Sequence, residues 1–226
     1  MRRIFVLLLT LCLLACPVHG AQRPKYVALT FDDGPSGRYT QRLLEGLNAR
    51  GVRATFFLCG YRLEDYGELA QSIRAAGHEI GLHGYSHDSM AEMSVGELRK
   101  ELSDTLSLLP EGCLVNLMRP PGGAYGSQVS TVAKELNLSI IAWSVDPKDW
   151  ATNDTDLIFS RLLAQTGDGD VILLHDMSNS SVDAALALVD ELKGQGYQFL
   201  TVSQLAMLRL CQLRPGQSYE AFRPDL

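Results

Sequence analysis

The sequence predicts a single α/β domain whose parallel strands form a closed or nearly closed barrel. Short apolar runs alternate with segments of helical periodicity along most of the chain, which is typical of parallel strands joined by crossover helices. About seven such runs occur, and each is apolar throughout, which favours strands that are covered on both faces. With 226 residues, 46% of them hydrophobic and 20% charged, the chain is long enough to bury the core of one domain.

The first twenty residues differ from the rest and predict a signal peptide, residues 1–20. Two arginines precede an apolar run, residues 4–15, and small residues follow up to Gly20. This order is typical of a secretory signal, and the run is too short to span a bilayer comfortably. We therefore expect cleavage after Gly20 and an exported protein. The competing interpretation is lipid attachment at Cys16, which Pro17 directly after it disfavours.

The first predicted strand, residues 26–29, is apolar and leads into a turn at Gly34-Pro35. The first helix, residues 39–50, carries leucines at helical spacing and is followed by Gly51 as a stop signal. A second apolar strand follows at residues 54–59, and a second helix, residues 64–76, also ends before a glycine.

A capping signal marks the helix after the third predicted strand, residues 79–82. Ser94 has a glutamate, Glu97, three residues later, which predicts a capping box at the start of a helix that runs to about residue 109. The remaining apolar runs predict strands at residues 114–118, 139–145, 170–174 and 198–202. The periodic segments between and after them predict helices at residues 127–136, 156–165 and 182–193, and a short terminal helix.

No internal repeat or domain linker divides the chain, so we predict one domain over residues 25–212. Residues 213–226 are polar and contain two prolines, and we expect them to form a mobile tail. The net charge of -6 and the absence of a lysine or arginine block exclude a typical nucleic-acid-binding protein. No apolar run suggests a membrane span in the mature chain, and we expect a monomer.

Three of the five cysteines, Cys59, Cys113 and Cys211, lie beyond the predicted signal peptide. Cys59 lies in an apolar run and is expected to be a small core residue. The odd number leaves two alternatives open, a bridge between Cys113 and Cys211 or three free thiols. No zinc-ribbon spacing is present.

Ionisable and aromatic residues follow every predicted strand except the second and the last. In a parallel α/β fold these strand ends meet on one face, where functional groups gather. The residues are Asp32 and Asp33 after the first strand, His83 and His87 after the third, Arg119 after the fourth, Asp146, Asp149 and Trp150 after the fifth, and His175 after the sixth.

Residue types at two of these strand ends indicate a metal site. Adjacent strand residues point to opposite sides, so we expect Asp32 and Asp33 to have different roles, one binding a cation and one facing a substrate. His83 and His87, four residues apart, are expected on one side of a helical turn or tight loop. Two histidines and one carboxylate make a three-ligand site with an open coordination position. The alternative is a turn capped by two acids, with unrelated histidines nearby.

Five segments of the chain resemble the motifs of the polysaccharide deacetylases, the NodB-like carbohydrate esterases. All five occur in the family's order, and the resemblance implies a distorted (β/α) barrel. The matching segments are TFDDGP at residues 30–35, H-x-x-x-H at 83–87, R-x-P at 119–121, D-x-x-D-W at 146–150 and L-x-H at 173–175.

The resemblance implies a role for each motif residue. Asp33, His83 and His87 would bind a divalent metal, zinc in the first place, with cobalt or manganese also compatible. Asp32 would be the general base toward water, and His175 the general acid toward the leaving amine.

The other motif residues would support this chemistry. Arg119 would hold Asp32 ionised and oriented, and Asp149 would be a partner of Arg119 or His175. Pro121, Gly122 and Trp150 would contact the substrate, Gly122 through a backbone N–H and Trp150 as a wall of the acetyl pocket.

The chain departs from the family pattern at two glycines. Gly84 stands where a serine or threonine is common, and Gly122 stands where a tyrosine is common, with Tyr125 nearby. Four acids and histidines close to the motifs are interpreted as structural: His78, Asp88, Asp146 and Asp176.

The predicted function is an exported, metal-dependent hydrolase that removes N-acetyl groups from cell-envelope glycans, either peptidoglycan or a chitin-like polymer. Two alternatives stay open. One is an O-acetyl esterase acting on acetylated xylan or another glycan. The other is a glycan-binding protein without turnover, against which the complete catalytic set argues.

Overall fold

The structure, a computed structural model, describes residues 23–224. The predicted signal peptide and the competing lipid-attachment site at Cys16 lie outside the described residues. None of the described helices is both long enough and apolar enough to cross a membrane.

The described residues form a curled parallel barrel with helices between the strands. The strands are Lys25–Gly34 (β1), Thr55–Leu58 (β2), Glu79–Leu82 (β3), Leu117–Met118 (β4), Ser139–Ile141 (β5), Val171–His175 (β6), Tyr197–Leu200 (β7) and Ser218–Tyr219 (β8). The α-helices are Arg38–Ala49 (α1), Gly60–Ala75 (α2), Val95–Ser107 (α3), Ser127–Glu135 (α4), Thr155–Gln165 (α5), Asn179–Gly194 (α6) and Val202–Leu208 (α7). The strand order is β6-β1-β2-β3-β4-β5-β8, and β7 pairs with the first residues of β1.

The predicted fold class is confirmed, because the seven predicted strands are present and all pair in parallel. The capping box at Ser94 and Glu97 is also present at the start of α3. The largest differences in bounds are at β1, which continues through the acidic pair, at α2, which begins at Gly60, and at β5, which ends at Ile141. Both extensions lie beyond the apolar residues that marked each element in the sequence.

The expectation of a mobile C-terminal tail is wrong for the described residues. β8 pairs in parallel with β5, and Ala221 pairs with Asp170 just before β6. Phe222 is buried, with its N–H donating to the Gly169 carbonyl over 2.7 Å. The segment therefore bridges the gap between β5 and β6. It is held largely by backbone hydrogen bonds, which leave little hydrophobic signal in the sequence.

Buried side chains from several strands and from α7 form one cluster in the barrel: Ala28, Phe57, Leu117, Ile141, Val171, Val202, Leu205, Ala206 and Phe222. The carboxyl ends of the strands carry the polar residues instead. Cys59 is buried, as expected for a core residue. Cys113 and Cys211 are free thiols, so the bridge considered from the sequence is not formed.

Candidate metal and catalytic site

The two acids at the end of β1 face the same cavity. The pairing of β1 with β2 shifts register between Asp32 and Gly34, and Asp33 has a positive φ of 70°. The register shift breaks the strict alternation of side chains along the strand. As a result, Oδ2 of Asp32 lies 3.7 Å and Oδ1 of Asp33 lies 3.3 Å from Nε2 of His83. The expectation that the two carboxylates point to opposite sides is therefore wrong.

Asp33, His83 and His87 form a compact cluster of three candidate ligands. One ligand atom from each lies within 4.8 Å of the others, and Nε2 of His87 is 3.0 Å from Oδ1 of Asp33. His83 and His87 lie in a loop, not a helical turn, and His87 has a positive φ of 68°. Left-handed backbone at two of the three residues is unusual for non-glycine residues and often accompanies functional sites.

The chemistry of this cluster fits a divalent metal ion. Oδ1 of Asp33 is buried, and no hydrogen bond of good geometry from the described residues reaches it. Burial acts to raise the pKa of Asp33, but the neighbouring imidazoles of His83 and His87 outweigh it and hold the pKa well below its usual range. An ionised carboxylate oxygen facing two imidazole nitrogens is a donor set that suits zinc, cobalt or manganese.

His83 is oriented from behind by the main chain. Its Nδ1 lies 2.7 Å from the carbonyl oxygen of Arg119. When Nδ1 carries the ring proton and donates it in a hydrogen bond to this carbonyl, Nε2 is unprotonated. The lone pair of Nε2 then faces Asp33, as a metal ligand requires.

Arg119 is fully buried and holds Asp32. Its Nη1 donates to Oδ1 of Asp32 over 2.7 Å and to Oγ1 of Thr30 over 2.8 Å. Nε and Nη2 donate to the carbonyls of Ile141 and Ala142, each over 2.9 Å. The guanidinium also lies 4.2 Å from the ring centre of Phe57. Asp32 is itself buried, so this ion pair is shielded from water.

Asp149 pairs with His175, which answers the question that the sequence left open. Its Oδ1 lies 2.8 Å from Nδ1 of His175, and its Oδ2 accepts the His175 backbone N–H over 2.8 Å. Burial acts to lower the pKa of His175, but the hydrogen bond and charge of Asp149 outweigh it and raise the pKa to about 9. His175 lies beside Asp32 in the pairing of β6 with β1. A pKa of about 9 would keep the imidazole of His175 protonated at neutral pH.

A cavity of about 390 Å³ joins these groups. Gly122 contributes to its wall, has a positive φ of 64°, and has open space where a side chain would begin. Trp150 is 66% exposed, so it is a wall residue and not part of the core. The lining residues are Asp32, Asp33, His83, His87, Gly122, Trp143, Asp146, Trp150, Leu173 and His175.

Three predicted site residues lie outside this lining. Arg119 and Asp149 are buried behind it, where they contact Asp32 and His175. Pro121 is buried and is not among the residues that line the cavity, and its contact with substrate stays a prediction.

Sequence reasoning missed Trp143. Asp146, interpreted from the sequence as structural, also lines the cavity, and its Oδ1 accepts the Lys148 N–H over 2.8 Å, which agrees with a structural role. Trp143 lines the cavity, and its ring centre lies 5.6 Å from the Arg119 guanidinium. A side chain at Gly123 would approach the Trp143 ring to 2.7 Å, so this glycine allows the ring its place. The available signal was position, because both residues follow β5 at the carboxyl edge of the barrel.

The structural interpretation of two other residues agrees with their contacts. Nδ1 of buried His78 accepts the Ala54 N–H over 3.0 Å, and burial lowers its pKa to about 4. Asp176 is fully buried, accepts a hydrogen bond from the Thr40 hydroxyl, and has its pKa raised by burial to about 6.

Fold and site together define a (β/α)-barrel protein with a candidate three-ligand metal centre beside a buried carboxylate, Asp32, and an imidazole, His175. The family model for polysaccharide deacetylase matches residues 19–141, which is more than half of the chain. The chain belongs to the polysaccharide deacetylase family.

Similar proteins include two curated relatives. The peptidoglycan-N-acetylmuramic acid deacetylase PdaC of Bacillus subtilis is 38% identical over 183 residues, covering 80% of this chain but only 38% of PdaC. A peptidoglycan-N-acetylglucosamine deacetylase of Bacillus cereus is 37% identical over 187 residues, covering 80% of this chain and 88% of the relative. The chain thus spans well under half the length of PdaC and most of the Bacillus cereus protein.

Among solved structures, a family 4 acetyl xylan esterase from Clostridium thermocellum, in complex with a cobalt ion, superposes with a TM-score of 0.81. It is 29% identical, and the match covers 87% of this chain and 98% of the esterase.

Proposed function

We propose that this protein is an exported, metal-dependent deacetylase that removes N-acetyl groups from cell-envelope glycans, with peptidoglycan as the first candidate substrate. The observation that carries the proposal is the meeting of the Asp33–His83–His87 cluster with Asp32 and His175 in one cavity. The similar Bacillus proteins, named as deacetylases of N-acetylmuramic acid and N-acetylglucosamine in peptidoglycan, support the choice of polymer.

Asp33, His83 and His87 would hold the metal, for which zinc is the first candidate. A divalent ion bound there would supply Lewis-acid chemistry, lowering the pKa of water and polarising the acetyl carbonyl. The neighbouring carboxylate of Asp32 would take the proton from the attacking water. Its hydrogen bond to Arg119 orients this carboxylate at the wall of the cavity.

His175 would donate a proton to the nitrogen of the leaving amine. The assignment is supported by its raised pKa, because an imidazole with a pKa of about 9 carries the needed proton at neutral pH. Asp149 accepts from Nδ1, so Nε2 is the nitrogen that would deliver the proton. An amine is a poor leaving group unless it is protonated, which is why an amidase benefits from such an acid.

Around these groups, Gly122 would offer its backbone N–H to the developing oxyanion, and Trp150 would form one wall of the acetyl pocket. Trp143 lines the same cavity and would form part of this wall. We keep Pro121 in the proposal only as the residue that shapes the backbone before Gly122.

Export follows from the predicted signal at residues 1–20 and matches a substrate that lies in the cell envelope. A glycan is the expected partner.

A second candidate is an O-acetyl esterase, which the likeness to the acetyl xylan esterase favours. The same metal ligands and base would serve this reaction, while releasing an alcohol depends less on the acid. Loss of His175 therefore separates the two, because it would slow amide hydrolysis more than ester hydrolysis.

The test is acetate release by the purified protein from peptidoglycan, a chitin oligomer and acetylated xylan, with and without added zinc. We expect zinc-dependent release from peptidoglycan. Asp32→Asn should retain bound metal and lose nearly all turnover, whereas His83→Ala should lose metal and activity together. An Asp32→Asn variant as active as wild type would overturn the base assignment, and no acetate from any polymer would overturn the proposed reaction.

A further inference from the structure

The loop between the two histidines of the candidate metal site has no regular structure to hold it. Residues 83–89 follow β3 and lie in neither a helix nor a strand. Two of them, Gly84 and His87, have positive φ angles of 81° and 68°. Such a loop keeps one shape only if other groups satisfy its peptide N–H and C=O groups.

The carbonyls of this loop are held by the start of α2. The N–H of Gly60 donates to the Gly84 carbonyl over 2.9 Å, and the N–H of Tyr61 donates to the Tyr85 carbonyl over 3.1 Å. These first N–H groups of a helix have no partner within the helix, so the loop and α2 satisfy each other.

The N–H groups of the same loop are held by one carboxylate from α3. Oε2 of Glu101 accepts the N–H of Tyr85 over 2.6 Å and the N–H of Ser86 over 2.9 Å. Both hydrogen bonds are charge-assisted and therefore stronger than neutral ones. Leu98 and Leu102 anchor α3 in the core, which determines where Glu101 lies.

The two histidines differ in how much they depend on this loop. His83 is buried, and its ring is oriented by the Arg119 carbonyl. The side chain of His87 is 43% exposed, and its polar contact among the described residues is with Asp33, a fellow candidate ligand. The position of His87 is therefore set by its main chain, which residues 84–86 carry.

We propose that Glu101 is a positioning residue that preorganises His87 for metal binding by clamping the backbone of Tyr85 and Ser86. The inference rests on the proposed metal site and goes beyond the family motifs, none of which includes Glu101. It also explains Gly84, because a side chain there would begin 2.8 Å from Cε of Met90 and 3.3 Å from Oε2 of Glu101. A glycine lets the carboxylate approach the two N–H groups.

Three substitutions of Glu101 separate the effect of its side-chain length from the effect of its charge. Glu101→Gln loses the charge but keeps an acceptor at the same distance. Glu101→Asp keeps the charge but withdraws the acceptor by one methylene, and Glu101→Ala loses both. Asp104→Ala is the matched control, because it removes an acid from the same helix. Among the described residues, the Asp104 carboxylate pairs with Lys100 and not with the loop.

Zinc affinity is measured on metal-free protein by competition with a chelator, together with amide hydrogen exchange at Tyr85 and Ser86. We expect Glu101→Ala and Glu101→Asp to weaken zinc binding by about 10- to 100-fold, the range seen when an outer-shell partner of a metal ligand is removed. Both should accelerate exchange at these two amides. Asp104→Ala should stay close to wild type, and Glu101→Gln should lie between wild type and Glu101→Asp, because it keeps the acceptor but loses the charge assistance. Excess zinc should restore turnover in Glu101→Asp.

Failure of the inference is distinguishable from failure of the proposed function. If wild type binds no divalent ion, the proposed metal site is wrong. If wild type binds zinc and Glu101→Asp binds it as tightly, the clamp is wrong. Weak binding by Glu101→Gln with normal binding by Glu101→Asp would show that charge, not reach, matters, and would also overturn the clamp. The last two variants decide the matter even if Glu101→Ala does not fold.

Discussion

Replacing Arg119 by methionine tests the central ion pair of the site. Methionine keeps much of the side-chain length and fills the buried space, but it removes every donor. Asp32 then keeps its buried carboxylate without the 2.7 Å ion pair, and two carbonyls and the Thr30 hydroxyl lose a partner. The substitution therefore acts mainly through unpaired polar groups and not through a cavity.

The expected loss of folding stability is determined by the carboxylate of Asp32, which is left without its partner. Removing one partner of a buried ion pair typically costs about 3–5 kcal/mol, a large part of the roughly 5–15 kcal/mol that stabilises a domain. Both Arg119 and Asp32 are buried, so water replaces the guanidinium poorly as a partner of the Asp32 carboxylate. Adding Asp32→Asn to Arg119→Met removes the unpaired charge. The double variant should thus recover at least about 2 kcal/mol relative to the sum of the single losses.

Urea unfolding of the metal-free single and double variants measures this coupling. If the two single losses add to within about 0.5 kcal/mol in the double variant, the two residues are not coupled and the reasoning is refuted. Activity provides a second readout, because Arg119→Met should lose turnover while its zinc affinity, which depends on other residues, changes little.

Three further predictions follow from the contacts of the site and its frame. Asp149→Asn should move the alkaline limb of the pH–activity profile to lower pH: His175 must be protonated to act as an acid, its pKa of about 9 depends on Asp149, and burial alone lowers it. Gly34→Ala should lower the free energy of unfolding by about 1–3 kcal/mol, because its Cβ would lie 2.7 Å from Oδ1 of the fully buried Asp176. Phe222→Ala should cost about 3–5 kcal/mol by emptying a buried position in the segment that bridges β5 and β6.

Each of these has a direct control. If the alkaline limb of the pH–activity profile is unchanged in Asp149→Asn, Asp149 does not set the pKa of His175. Gly67→Ala serves as the control for Gly34, since it lies in α2 with open space around the new methyl group and should be neutral or stabilising. Urea unfolding measures both glycine variants and Phe222→Ala, and a Phe222→Ala variant as stable as wild type would indicate that the segment is not part of the folded unit.

Local pattern in the sequence was sufficient for most of the fold. Apolar runs and helical spacing predicted the seven strands that are confirmed, and Ser94 with Glu97 predicted the capping box. The exception was β8, because two polar strand residues held by backbone hydrogen bonds carry no hydrophobic periodicity.

The candidate site was predicted as a set of residues but not as a geometry. Motif residues from four of the five segments line one cavity, and Arg119 of the remaining segment lies buried behind it. Their chemical roles stay predictions. Trp143 was missed because it belongs to no motif, and the burial of Pro121 was not foreseen because motif membership does not show which way a residue faces. Glu101 carries no sequence signal either, since a glutamate on a helix surface is ordinary.

The sequence by itself determined which elements form and which reactive residue types follow each strand, because periodicity and turn residues act over short stretches of chain. Tertiary structure decided the rest. Three features depend on residues far apart in sequence. They are the register shift that turns the Asp33 side chain into the same cavity as Asp32, the pairing of Asp149 with His175, and the burial of Arg119. Hydrogen bonds and charges in a buried site are governed by distances of a few ångströms, and only the folded chain sets those distances.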